Sequence, residues 1–241
     1  MSGKVPTLSL RVPAGWEELT PQQLRVICRW SSLRTDRRTA QMKMFLDYNG
    51  LTLCRRAQRQ AGWQKEYRVR TGGRRYWVPA SVLRDGAAAF GFVYDSSGAL
   101  PFCPLRGVPH NLFGVSFETY YSSDSQIYRY QQEGKAAYMA RAVQLLTGSR
   151  RRLSSAGRAA VVIWWSGVRC WLRKKYPHVF SSDGDGGQVN PADTLLEILE
   201  ALNNQAPQEN ERILQSETHY VLSSLENRII QAEKLSKHAR H

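Results

Sequence analysis

Five histidines and four cysteines are the residues of this chain best suited to metal or nucleophilic chemistry, and their spacing points away from both. His110, His178, His219, His238 and His241 never stand four apart, and only His238 and His241, at the end of the sequence, stand three apart, so no close cluster of imidazoles for one ion is expected. Cys28, Cys54, Cys103 and Cys170 form no C-x-x-C pair. That spacing predicts reduced, mostly buried thiols rather than zinc ligands or a disulfide framework. Asp183 and Asp185, in Asp-Gly-Asp-Gly-Gly, match the opening of a calcium loop, but its later ligands and closing Glu are missing. Glu17 and Glu18 are adjacent and diverge in either a helix or a strand, so they make a poor acid/base pair; charge near a helix start explains them better. Neither phosphate-binding glycine loop is present, nor a G-x-S-x-G elbow. The expectation is a protein that is not an enzyme, with no catalytic residues, no metal site and no cofactor.

The remaining chemistry is that of arginine. The formal net charge is +14, unevenly laid out. Residues 1–75 hold 16 Lys/Arg against 5 Asp/Glu, and residues 133–180 hold 10 against 1. Residues 76–132 are close to balanced, with 3 against 4, and residues 181–241 are acidic, with 5 against 10. A basic body invites polyanionic partners. The candidate polyanion contacts are Arg55, Arg56 and Arg59, then Arg68, Arg70, Arg74 and Arg75, then Arg150, Arg151 and Arg152. Two readings stand side by side. The arginines are solvated faces whose stems cover apolar surface, or they contact phosphates with an affinity that falls steeply with salt. Tyr76 and Trp77 are placed to stack on bases, although hairpin aromatics also build cores.

These residues need elements to position them. Thr20-Pro-Gln-Gln23 reads as an N-cap, a first-turn proline and a capping-box Gln, opening a helix over about 21–33 with Leu24, Ile27 and Cys28 inward. Leu19 is placed as a hydrophobic staple, with Trp16 beneath the same turn. A second helix, about 37–48, carries Met42, Phe45 and Leu46 and ends at Gly50. The period then changes. Residues 66–79 predict a β-hairpin turning at Gly72-Gly73, with Tyr67, Val69, Tyr76 and Val78 on one face and Arg68 and Arg70 on the other. Arg55, Arg56 and Arg59 are assigned to polar sides of helices. A short helix and a strand are expected over 80–94, and an irregular stretch over 95–114. Helices follow from Ser116, over about 134–147 and over about 154–175.

The last of these contains the apolar run Ala159–Val168. It is about half the length a bilayer span requires and is bracketed by Arg158 and Arg169, so a buried core helix is preferred over an interfacial one and no integral membrane insertion is expected. Met1–Pro6 lacks the apolar core of a signal peptide, which predicts a cytoplasmic protein. The fold class is mainly α with a small β-hairpin (α+β). Its expected organisation is a basic helical body over 1–180, a flexible linker over 181–190 and an acidic helical segment over 191–241. That segment is read as one helix over about 191–203 and another over about 208–236. The apolar stripe of the latter, with Leu214, Tyr220, Val221, Leu225 and Ile229, is the candidate partner-binding surface.

Several stretches together resemble an uncharacterised family encoded in prophage tail modules near the tape-measure gene. They are Pro13-Ala-Gly-Trp16-Glu-Glu-Leu19-Thr-Pro-Gln-Gln-Leu24, Asn111-Leu-Phe-Gly-Val-Ser-Phe117-Glu-Thr-Tyr120, Ile163-Trp-Trp-Ser-Gly-Val-Arg169 with Tyr176-Pro-His-Val-Phe180, and Glu217-Thr-His-Tyr-Val-Leu-Ser-Ser-Leu-Glu-Asn227. In the last, a Trp is usual where this chain has His219, and glycines and prolines replace much of the family's mid-region at 98–114. The resemblance implies a non-enzymatic, phage-derived structural or assembly protein of the bacterial host cytoplasm or the virion. Its specific form is a tail-assembly chaperone that binds the tape-measure protein. A nucleic-acid-binding protein using the arginine clusters is the alternative.

Overall fold

The structure, a computed structural model, describes residues 7–31, 35–94, 103–180, 191–203 and 206–238. The chain is mainly helical with one small antiparallel sheet. It forms two compact units, one of residues 1–102 with 155–160 and one of residues 103–154 with 161–241. The boundary expected at the 181–190 linker lies outside the described residues, and the acidic segment belongs to the same unit as the helices that precede it.

The N-terminal unit begins with a short 3-10 turn, Trp16–Glu18, and helix α1, Pro21–Ser31. The capping box forms. Gln23 N–H donates to Thr20 Oγ1 at 3.3 Å, and Gln23 Oε1 accepts from Thr20 N–H at 2.8 Å. Helix α2, Arg37–Tyr48, is capped by Asp36, whose carboxylate accepts from Thr39 N–H. It buries Met44 and Phe45, whereas Met42 is only half-buried.

Three strands follow: β1 Thr52–Ala61, β2 Gln64–Thr71 and β3 Arg74–Pro79, ordered β1-β2-β3. The β2–β3 hairpin has the expected register, with Tyr67 opposite Val78 and Val69 opposite Tyr76. Its turn places Gly72 and Gly73 at φ 54° and 77°. Two successive positive φ values suit a type I′ turn, whose twist matches the strands. Strand β1 corrects the assignment of Arg55, Arg56 and Arg59 to helices. Its Arg-, Gln- and Ala-rich sequence favours helix locally, and pairing with β2 overrides that preference. Its pairing shifts register between Leu53 and Gln58, a bulge that lies opposite Arg68.

Helix α3, Ala80–Ala88, lies against the sheet and against α2. A Cβ added at Gly86 would stand 2.4 Å from Phe45 Cε2, so the two helices meet ring on backbone. The strand expected near Phe90–Tyr94 is instead a 3-10 continuation of α3, Ala89–Tyr94. No turn residue separates Ala88 from Ala89, so the helix tightens rather than stops. Its aromatics close the core: Phe90 meets Tyr48 edge-on at 5.6 Å, and Phe92 meets Trp16 at 5.1 Å.

The C-terminal unit holds α4 Phe117–Glu133, α5 Ala136–Thr147, most of α6 Ser155–Lys175, α7 Pro191–Asn203, α8 Asn210–Gln215 and α9 Thr218–His238. Gly134 and Gly148, both left-handed, end α4 and α5. The Trp-rich helix is a core helix, with Val161, Trp164, Trp165, Val168 and Leu172 buried. Among the described residues no helix is long and apolar enough to cross a membrane. Both buried indoles find acceptors, as tryptophan burial demands. Trp164 Nε1–H donates to His110 O at 3.0 Å, and Trp165 Nε1–H to Asp124 Oδ1 at 2.6 Å.

The single helix expected over 208–236 is corrected to two. Ser216 is extended, at φ −68° and ψ 155°. Its carbonyl accepts from Phe117 N–H at 2.8 Å, and Thr218 N–H donates to Val115 O at 2.9 Å. A strand-like bridge to residues a hundred positions away therefore interrupts the helical period. Glu217 then caps α9 by accepting from Tyr220 N–H at 3.0 Å.

Candidate functional site

The sheet of the N-terminal unit has two unlike faces. Residues paired across strands point the same way. One face carries Leu53, Tyr67, Val69, Tyr76 and Val78, with Val69 and Val78 fully buried. The other carries Arg59, Glu66, Arg68, Trp77, Arg70 and Arg75, in cross-strand register. Arg70 and Arg75 are exposed, and Trp77 is half-buried at the centre. The Arg59 guanidinium sits 4.5 Å from the centroid of the Trp77 ring and that of Arg68 5.8 Å, both within cation–π range. Arg59 Nε also donates to Glu66 at 2.7 Å. Arg68 Nε is buried with no hydrogen-bond partner. At the tip of the β1–β2 turn, Gly62 takes φ 58° and the next residue, Trp63, is 101% exposed.

The predicted arginine clusters thus divide. Arg59, Arg68, Arg70 and Arg75 converge on one face, whereas Arg74, opposite Thr71, points to the other. Arg55 and Arg56 fall in the bulge of β1. Arg150, Arg151 and Arg152 belong to the C-terminal unit, where with Arg141, Ala137 and Gln144 they line a cleft of about 530 Å³. Trp63 was missed by sequence reasoning, although a Trp directly after a turn glycine is a readable sign of an exposed hairpin tip.

The predicted partner-binding stripe divides as well. Val221 and Leu225 are buried in the core of the C-terminal unit, and Leu214 and Ile229 are half-buried. Tyr220 points outward at 68% exposure, as does Leu235 at 72%. A groove of about 620 Å³ runs beside Tyr220, lined by Leu202, Ile213, Val221, Ser224 and Arg228.

The motif residues at 111, 176–179 and 217–226 meet inside this unit. Tyr176 Oη lies 3.0 Å from His219 Nδ1, and His219 Nε2 lies 2.8 Å from Asn111 O. Glu226 accepts from His178 N–H at 3.1 Å and Val179 N–H at 2.9 Å, and its Oε1 is 2.6 Å from His178 Nδ1. Burial pushes the Glu226 carboxyl up, but the hydrogen bonds from His178 and Val179 outweigh it and hold the pKa below its ordinary value. Burial raises the Tyr176 hydroxyl, and the charges of Glu217 and Glu226 raise it further. Beside this cluster the Lys175 ammonium stands 4.9, 5.0 and 5.3 Å from the rings of Phe113, Trp171 and Tyr176. These polar groups are directed at backbone and at one another, an arrangement that joins loops to helices. Among the described residues no three His, Cys, Asp or Glu side chains gather as a metal site.

No protein-family model matches the chain, no curated protein matches it, and no solved structure matches it.

Proposed function

We propose that this protein is a non-enzymatic, phage-derived assembly factor that acts by holding a protein partner, with the tape-measure protein of a tail module as that partner. The observation that carries this reading is the convergence of the segments that bear the family resemblance. Asn111, Tyr176, His178, His219 and Glu226 come from three of those segments, and their hydrogen bonds knit one helical unit. Motif residues used in this way specify an architecture rather than a reaction, which suits a family of structural proteins. The outward surface of α9 supplies the contact. Tyr220 and Leu235 are large, exposed and apolar, and Tyr220 borders the groove between α7, α8 and α9.

The test is affinity capture of the tape-measure protein by co-expressed full-length chain. Tyr220→Asp and Leu235→Asp together abolish capture and leave the circular dichroism spectrum unchanged, because both side chains are outside the core. Undiminished capture by the double variant would overturn the assignment of this surface. Failure of the wild-type chain to capture the protein would overturn the partner.

A further inference from the structure

We infer that the open face of the three-stranded sheet is a binding site for single-stranded nucleic acid. This goes beyond the assembly reading and rests on a different unit. Residues 52–79 contain 8 Lys/Arg and a single acidic residue, Glu66. The pairing register gathers Arg59, Arg68, Arg70 and Arg75 around Trp77 on the side of the sheet away from the buried valines. Arg70 and Arg75 make no ion pair with any described residue, so their charge is free for an external anion. Glu66 is engaged by Arg59.

Charge complementarity alone would suit any polyanion. The aromatic rings narrow the choice. Proteins that grip single strands combine a basic track for the backbone with aromatic side chains on which bases stack. Trp77 already accepts a planar guanidinium at 4.5 Å. A base entering at that ring face takes the place of Arg59, whose guanidinium exchanges the Glu66 carboxylate for a phosphate. Trp63, wholly exposed at the β1–β2 turn of the same sheet, offers a second ring. The bulge of β1 stands opposite Arg68, and bulges recur beside sites where a side chain is re-aimed. A duplex buries its base faces in the stack and cannot use these rings.

The experiment is fluorescence anisotropy of labelled 20-nucleotide oligothymidine and oligouridine with the full-length chain, from 50 to 200 mM salt. Each phosphate contact on a single strand contributes roughly −0.7 to the slope of log K against log salt, so four arginines give about −2.8. Arg70→Gln with Arg75→Gln, both exposed positions, flattens the slope by about 1.4. Trp63→Ala, which touches no core, weakens binding by roughly five-fold or more, and Trp77→Leu does the same if it folds. Binding of one oligonucleotide in preference to the other names the natural strand and supports the site. Absence of binding at 50 mM salt overturns the inference. So does a duplex of equal length bound as tightly as the single strand, or unchanged binding by both the Trp63 and the Arg70/Arg75 variants.

Discussion

Replacing Glu226 is the sharpest test of how the C-terminal unit is held together. Its side chain is 12% exposed and takes three contacts from one short turn, at 3.1, 2.9 and 2.6 Å. Hydrogen bonds to a charged acceptor contribute about 1.5–3 kcal/mol each and neutral ones about 0.5–1.5 kcal/mol. Glu226→Gln keeps the shape and one acceptor oxygen while losing the charge and one acceptor, so the expected cost is about 2 kcal/mol. Glu226→Ala leaves two backbone N–H groups and one imidazole without their acceptor. His178 is 39% exposed, so water recovers part of the loss, and the expected cost is about 3 kcal/mol. The assay is urea unfolding followed by fluorescence of the buried Trp164 and Trp165. The pH dependence has a definite sign. The folded pKa of Glu226 lies below the ordinary 4.5, so its stabilisation is present above that value and fades as pH falls through the lowered one. The penalty of Glu226→Gln therefore shrinks in acid. A variant within 0.5 kcal/mol of wild type at pH 7, or a penalty that grows on acidification, refutes the reasoning.

Gly86→Ala would gain about 1 kcal/mol of helix propensity, yet its Cβ would meet Phe45 at 2.4 Å. Phe45 is 1% exposed and cannot retreat, so overpacking wins and thermal unfolding shows a net loss of about 1–2 kcal/mol. Thr20→Ala removes the α1 cap and costs about 1 kcal/mol in the same measurement. Burial pushes the Cys28 thiol up to about 12 and that of Cys103 up to about 11. Titration of the native chain with a thiol-specific chromogenic reagent at pH 8 should therefore label at most Cys54 and Cys170, with all four labelled in denaturant.

Much of the helical framework was legible because its signals are local. The Thr20 box, with Pro21 in the first turn, fixes a helix start within a few residues of itself. The β2–β3 hairpin was equally readable, since Gly72-Gly73 and a period of two agree. What escaped were elements set by distant partners. Strand β1 has the composition of a helix and becomes a strand only because β2 pairs with it. The break at Ser216 exists because Val115 and Phe117 reach it from a hundred residues away, which no helical period reports. The apolar stripe of α9 was visible, but periodicity could not say that Val221 and Leu225 serve the chain's own core while Tyr220 faces out. On the sheet, Arg68, Arg70, Arg74 and Arg75 are read together around the hairpin, whereas Arg59 is assigned to a helix. Only the place of Arg59 beside Trp77 depends on β1, whose register includes the unforeseen bulge.

The ends of that sheet carry one more consequence, for how the protein behaves when crowded. Three strands have two outer borders, each a row of backbone groups that a neighbouring molecule could extend into a larger sheet. β3 is 6 residues long and finishes at Pro79, which has no N–H to offer, while β1 breaks its own regularity across residues 54–57. Like-charged arginines along both strands repel a second copy brought alongside. The residues inferred to contact a nucleic-acid backbone thereby also guard this unit against fibrous self-association. Neutralising them for a binding experiment removes that guard as well, so light scattering belongs beside every such titration.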